Sequence, residues 1–355
     1  MGNILRTLRR VNALTPERRR ELLDAQQPRE EWAGPRGSVA YLKNAQGYEI
    51  ASYYWPASTP NPKGVVVLVH GQGAYLVFEY CTAPPGSNRP KRYAGSWVQR
   101  MNEAGYSVAG MDNQGTGRSG GLFGYVASFD HFVDDLLQLC KTLQASGAPA
   151  GFGPGLPVFA LGCSLGGCIA LHASIRQPSL FRGLVLLAPM LSLERVKRQG
   201  ANRVLAPISL VLSALVPTLP IVATPKNCKY PDLQSDWDAD PVTYHYPTRV
   251  RIAAQLLAAC DWLGPRMRGV AAPLLVFHSE NDTMTDPDGS KLLLSRAAAP
   301  DKTLRLCNTF WHIISKEPGN EVVLKEALAW MDARLAPAAA AAAAAGAPAP
   351  ALVVA

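Results

Sequence analysis

Residues Gly162-Cys163-Ser164-Leu165-Gly166-Gly167 constrain this chain more than any other stretch. Before them Leu156 to Leu161 reads as a short buried strand, and after them Cys168 to Ile175 reads as the apolar start of a helix. A strand that feeds straight into a helix must reverse within about one residue, and that residue takes a positive φ. Ser164 occupies the position. Gly162 and Gly166, on either side, carry no Cβ to clash across so tight a turn, and Gly167 lets the helix approach the neighbouring strand. The expected result is a serine hydroxyl pushed beyond the edge of a sheet, beside the N–H of Leu165 at the helix start.

A serine hydroxyl is a weak nucleophile at neutral pH, so acyl transfer requires a base in contact with it and a group that holds the base in one tautomer. Ser164 follows one predicted strand, and Asp282 follows another, Pro273 to His278. His312 lies in the loop after the last predicted strand, Thr303 to Leu306. All three loops are expected at the carboxyl edge of one parallel sheet, where such sites form. Asp286 and Asp288 lie near Asp282, but they open the following helix, where a carboxylate is ordinary capping chemistry. Among the other histidines, His70 reads as a scaffold residue, His131 and His172 fall in helices, and His245 falls in an insertion. His278 ends a strand too close to the acid. Ser164, Asp282 and His312 are therefore the candidate nucleophile, acid and base.

The rest of the chain alternates strand and helix, then stops. Ser38 to Trp55 reads as an entry hairpin, and Val65-Val-Val-Leu-Val69 as a strand buried on both faces, ended by His70-Gly71-Gln72-Gly73. Tyr80 to Lys91 is a Pro- and Gly-rich loop, read as an insertion at the rim of the site. Asp112 to Ser119 resembles a phosphate loop only superficially, since no P-loop lysine follows and no helix opens after it; it reads as a structural turn. Phe129 to Ala145 is an amphipathic helix with Asp134 and Asp135 expected to face water. From about Pro189 to Arg268 the alternation ceases. The apolar run Val204 to Val216, broken by Pro207 and ended by Pro217, is too short to cross a bilayer. Such an insertion reads as a cap over the site, and an apolar cap implies a greasy substrate; a purely structural helical insertion is the other reading. The expected organisation is a basic arm over 1–36, core over 37–189 and 269–335, a cap over 190–268, and a disordered Ala/Pro-rich tail over 336–355.

Lys plus Arg exceed Asp plus Glu by 35 to 27, but the excess gathers in the first twenty residues, at Arg6, Arg9, Arg10, Arg18, Arg19 and Arg20. No basic stripe with interleaved aromatics follows, so nucleic acid is excluded as a partner. Ile4, Leu5, Leu8 and Val11 share one helical face beside arginines, a composition suited to an anionic membrane surface. Gly2 is a candidate for N-myristoylation, although the usual pattern has Ser or Thr where this chain has Arg6. No secretory signal is evident, and seven scattered cysteines show neither metal spacing nor a disulfide framework. A cytoplasmic protein with peripheral membrane contact is the expectation.

Taken together, the His70-Gly-Gln-Gly73 loop, Asn102 to Asp112, Asn113 to Ser119, the Ser164 turn, Ala188-Pro189, Asp240-Pro241 and the segments around Asp282 and His312 resemble the monoacylglycerol lipase and lysophospholipase branch of the α/β-hydrolases, the serine aminopeptidase S33-type group. The resemblance covers about residues 38–335. It implies an α/β fold with a mostly parallel central sheet flanked by helices, and an inserted helical cap. It also implies an oxyanion hole built from the N–H groups of Gln72 and Leu165, hydrolysis of single-chain glycerides or lysophospholipids, a lid that touches membrane, and no cofactor or metal. Cys163 and Leu165 depart from the residues usual beside the serine, and the loop around Cys81 is longer than usual. Two other readings stand beside it. One is an aminopeptidase or short-chain ester or thioester hydrolase on the same triad, with Asp236, Asp238 and Asp240 available to an amine. The other is a non-catalytic binding protein on the same fold.

Overall fold

The structure, a computed structural model, describes residues 2–83, 90–198, 200, 202–205, 207–223 and 225–335; the Ala/Pro-rich tail lies outside the described residues. Helices α1 (Gly2–Asn12), α2 (Pro16–Gln26) and α3 (Arg29–Ala33) precede a hairpin of β1 (Ser38–Lys43) and β2 (Glu49–Trp55). Strand β3 (Gly64–Val69) leads through α4 (Leu76–Tyr80) and α5 (Trp97–Glu103) to β4 (Tyr106–Met111). Helix α6 (Phe129–Leu143), β5 (Val158–Cys163), α7 (Leu165–Arg176) and β6 (Gly183–Leu187) follow. The inserted stretch holds α8 (Glu194–Lys197), α9 (Asn202–Leu205), α10 (Ser209–Leu215), β7 (Pro220–Val222), α11 (Pro231–Ala239), β8 (Thr248–Arg249) and α12 (Val250–Arg266). The core then closes with β9 (Leu274–Ser279), α13 (Pro287–Arg296), β10 (Lys302–Cys307) and α14 (Asn320–Ala333).

Eight strands form one sheet in the order β1-β2-β4-β3-β5-β6-β9-β10, parallel from β4 onward, with β1 and β2 antiparallel at one edge. Strand β3 shows why its sequence is apolar without a break. Val65, Val67 and Val69 face a core layer shared with Phe132, Leu136 and Ile169, while Val66 and Leu68 face the opposite layer with Trp97, Met101 and Met331. Helices cover both faces, so every strand residue needs an apolar partner. Strand β5 lies two residues later than its apolar run suggested. Pro157 has no N–H to give a ladder, and its carbonyl takes the N–H of Val65 (2.8 Å), so pairing starts at Val158 and runs to Cys163. Helix α4 went unread because its five residues are all buried and present no polar face.

Two charge assignments change in the fold. Arg19, expected in a solvated arm, is fully buried; its guanidinium donates to the carbonyls of Gly117 (3.0 Å), Leu14 (2.8 Å) and Ser119 (2.5 Å), and burial brings its pKa down to about 10. Arg20 likewise donates to Arg118 O (2.8 Å). Helix α2 is thus fastened to the 112–121 loop rather than free of it. Asp134 does face water, paired with Arg176 (2.9 Å), but Asp135 does not. Phe132, Asp135, Leu136 and Leu139 fall on one helical face at i, i+3, i+4 and i+7, and that face is buried. The Asp135 carboxyl accepts from Asn44 Nδ2 (3.3 Å), and burial pushes its pKa up to about 7.

A carboxyl whose folded pKa exceeds its unfolded one supports the fold only while protonated. That support is complete below the unfolded value and is lost as pH rises toward about 7. Asp135→Asn is therefore expected to leave stability unchanged near pH 4 and to raise it near pH 8 by roughly 1–3 kcal/mol. Urea denaturation at the two pH values checks this, and a loss at the higher one would contradict it.

Candidate active site

Ser164 stands between β5 and α7 with φ 52°, one of two non-glycine residues with positive φ among those described. The turn is fixed by main-chain bonds: Ser164 N donates to Leu187 O (2.9 Å), and Ser164 O accepts from Gly167 N (3.1 Å) and Met190 N (2.9 Å). Only glycine fits the flanks. A Cβ on Gly162 would lie 2.6 Å from the carbonyl carbon of Gly166, and one on Gly166 would strike the carbonyl of Val69. Ser164 itself is half-buried and lines a cavity.

The loop after β3 passes directly over this serine; a Cβ on Gly71 would sit 3.5 Å from that of Ser164. His70 holds the loop from below, with Nδ1 at Gly71 O (2.8 Å) and Nε2 accepting from Asn113 N (2.9 Å). Burial lowers its pKa, consistent with a neutral scaffold imidazole. Asp112 organises the next loop, taking Leu76 N (2.8 Å), Arg118 N (2.8 Å) and the Tyr53 hydroxyl (2.8 Å). The 112–119 segment is thus a structural turn under the site. Among the described residues no acceptor takes up the N–H of Gln72 or of Leu165. Gln72 borders the cavity that Ser164 lines, and Leu165 opens α7 directly after the serine.

Asp282 and His312 meet at the same edge, His312 Nδ1 lying 2.7 Å from Asp282 Oδ2. The other carboxylate oxygen accepts from Met284 N (2.7 Å) and Thr285 N (2.9 Å). Burial alone would push the Asp282 carboxyl up, yet the His312 charge and the side chains of His278 and His312 beside it hold it well below the usual carboxylate range. Burial likewise disfavours the imidazolium of His312, but the Asp282 charge and hydrogen bond, together with the Glu317 and Glu79 charges, outweigh it and raise the pKa above the ordinary imidazole value. His312 and Ser164 line one cavity of about 340 Å³. Asp286 is the N-cap of α13, donated to by Asp288 N (3.1 Å), as its position suggested.

Sequence reasoning missed two residues here. Glu317 is fully buried and accepts from the N–H groups of Trp311, His312 (2.9 Å) and Ile313 (2.6 Å), so it shapes the loop that carries the base. Its only sequence signal is an acid five residues beyond His312. His278 is also fully buried, with Nε2 3.3 Å from Asp282 Oδ2. Gly2 starts α1, is exposed and takes no part in this assembly.

Two spaces open from Ser164 and Gln72. The larger is bordered by Glu79, Asn227, Gln234, Trp237 and Tyr244; the smaller, about 140 Å³, is bordered by Met190, Leu193, Val196, Leu256, Leu257 and Met284. Most of both linings comes from the 190–268 insertion, which therefore roofs the site. Of its acids, Asp240 is turned inward, bonded to Tyr75 Oη (2.8 Å), Val242 N (2.9 Å) and Thr243 N (3.0 Å), and Asp238 pairs with Lys226 (3.2 Å). Beside the expected helices the insertion carries a short ribbon, β7 paired with β8, too brief to be read from the sequence.

The acid limb of kcat/KM on a water-soluble ester is expected above pH 6.5, because a base must lose its proton first. In Asp282→Asn that limb should move down, since burial is then opposed only by the weaker Glu317 and Glu79 charges, and kcat should fall about 10³- to 10⁴-fold. A limb that stays in place, measured by pH–rate profiles, would contradict the pairing.

The sequence pattern of the family described as serine aminopeptidase, S33, matches residues 60–319. Monoacylglycerol lipase of Mycolicibacterium smegmatis is 29% identical over 81% of this chain and 95% of its own length. Monoglyceride lipase of Rattus norvegicus is 29% identical over 86% and 93%. Among solved structures, Paleococcus ferrophilus monoacylglycerol lipase superposes with a TM-score of 0.65 at 22% identity, covering 81% of this chain and 99% of that one. A soluble variant of Saccharomyces cerevisiae monoglyceride lipase, in complex with a substrate analogue, also gives 0.65, at 19% identity over 84% and 95%. These likenesses establish the fold. The family match runs from before the His70 loop to beyond the His312 loop, and on that ground the chain belongs to the serine aminopeptidase S33 family of α/β-hydrolases.

Proposed function

We propose that this protein hydrolyses the carboxylic ester of a single-chain lipid, a monoacylglycerol or lysophospholipid. The carrying observation is the meeting of two unlike spaces at Ser164 and Gln72. The smaller is walled mainly by aliphatic and methionine side chains, with Lys197, Asn202 and Ser209 also on its border, and suits an acyl chain; the larger places Glu79 and Asn227 before a hydroxylated head. An ester carbonyl at their junction lies beside the serine. Ser164 Oγ attacks the carbonyl carbon while His312 takes its proton, and Asp282 balances the imidazolium. The N–H groups of Gln72 and Leu165 hold the oxyanion. Collapse breaks the ester bond, and His312 returns the proton to the leaving alcohol. Water, deprotonated by His312, then releases the fatty acid and restores Ser164.

Relatives named as monoacylglycerol and monoglyceride lipases support the same reading. The aminopeptidase alternative has less support, because Asp238 and Asp240 are engaged within the cap. Contact with a membrane belongs to the proposal as well. Ile4 and Leu5 stand exposed on α1 beside Arg6, Arg9 and Arg10, and Val204, Leu210, Val211 and Leu215 stand exposed on the cap. Among the described residues no helix is long and apolar enough to cross a bilayer, so such contact would be peripheral.

Rates on 1-monoacylglycerols of increasing chain length, with p-nitrophenyl acetate and an aminoacyl amide as comparisons, test the assignment. The rate is expected to rise from acetyl to medium chains. Leu256→Trp, which fills the apolar space, should cut the long-chain rate by about 10-fold or more while sparing acetate. Preference for acetate or for the amide would overturn the lipid reading.

A further inference from the structure

His278 is the penultimate residue of β9 and is fully buried, four residues before Asp282. Its two nitrogens are both engaged. Nδ1 lies 2.7 Å from Ser290 Oγ on α13, and Nε2 lies 3.3 Å from both Asp282 Oδ2 and Thr285 Oγ1. The face of Asp282 Oδ2 therefore carries His312 Nδ1 at 2.7 Å, Thr285 Oγ1 at 2.9 Å and His278 Nε2 at 3.3 Å. An ionised carboxylate oxygen only accepts, so the nitrogen facing it carries the hydrogen. That choice makes Nδ1 the acceptor, and Ser290 the donor to it.

We propose that His278 and Ser290 are positioning residues for the reaction, extending the serine, histidine and aspartate line inward as Ser290–His278–Asp282–His312. The physical reason is a shared oxygen. The Asp282 carboxylate rotates about its terminal torsion with little resistance, and its Oδ2 must point at His312 Nδ1 to hold the base in the tautomer that faces Ser164. A second imidazole nitrogen beside Oδ2, the Thr285 hydroxyl that donates to Oδ2 and also meets that nitrogen, and the two main-chain donors on Oδ1 leave the carboxylate one orientation. It also shares the negative charge that His312 feels. Other groups bear on the same charges: Glu79 from α4, Cys163 from β5, Glu317 beyond the base loop, and Asp286 on α13, which is paired with Arg195 (3.2 Å). None of these is bonded to Asp282 in the structure. The inference rests on the serine hydrolase reading and adds two residues to it.

Two replacements separate positioning from packing. His278→Gln keeps an N–H near the place of Nε2, whereas His278→Leu keeps bulk without a donor. With a soluble p-nitrophenyl ester, the Leu variant is expected to lose about 10- to 100-fold in kcat with KM within about twofold. Its acid limb should move to higher pH, because Asp282 Oδ2 then shares its charge with one imidazole fewer and His312 feels more of it. The Gln variant should stay within about threefold of wild type with the limb in place. Equal losses in Gln and Leu, or an unmoved limb in a Leu variant that melts like wild type, would overturn the proposal. If the Leu variant does not fold, Ser290→Ala decides: a fall of about two- to fivefold with an upward limb shift supports it, and an unchanged profile overturns it. A wild-type protein inactive on every ester would instead defeat the hydrolase reading itself.

Discussion

Ser164 holds a backbone conformation that a residue with a Cβ avoids, and the site follows from how the fold compels it. A positive φ at a non-glycine residue costs on the order of 1–3 kcal/mol. The offset is visible in the bonds around it: the N–H goes to β6, and the carbonyl accepts from α7 and from Met190. These partners exist only when β5, β6 and α7 are all in place. The Ser164 turn is therefore a property of the assembled sheet, and the chain excludes side chains at Gly162 and Gly166 so that the turn closes.

Around that point the loops of five parallel strands converge. The loop after β3 brings Gln72 over the serine, the loop after β4 braces His70 through Asn113, and the loops after β9 and β10 bring Asp282 to His312. Electrostatics then work on buried groups, where charges are poorly screened. The Asp282 charge and hydrogen bond, with the Glu317 and Glu79 charges, together outweigh the burial that would keep His312 neutral, so its pKa lies above the ordinary imidazole value. The cap completes the site by roofing two spaces of different polarity. The N-terminal helices connect to both parts, Arg19 to the 112–121 loop and Asn12 to Arg249 of the cap (2.8 Å).

Much of this was legible in the sequence, and the reason differs by element. Strands β3 and β5 announce themselves as apolar β-branched runs because both sheet faces are covered. Ser164 and Asp282 follow buried apolar strands and His312 follows the edge strand β10, so topology brings all three to one edge. What stayed hidden depends on contacts between distant segments. His278 was set aside for its nearness to Asp282, and that nearness is what puts its Nε2 on the carboxylate. Glu317 carries no local signal, since its partners are three main-chain N–H groups of the preceding loop. Asp135 and Arg19 read as surface charges until their partners, Asn44 and a row of carbonyls nearly a hundred residues away, are known.

The central claim is that the fold turns one ordinary serine into a nucleophile. Labelling the folded protein with a fluorophosphonate and locating the adduct by mass spectrometry tests it most directly. The account predicts modification of Ser164 alone, no adduct in Ser164→Ala, and labelling slowed by at least about 10²-fold in His312→Ala. A folded wild-type protein that stays unlabelled, or a His312→Ala variant that labels at the wild-type rate, would contradict it.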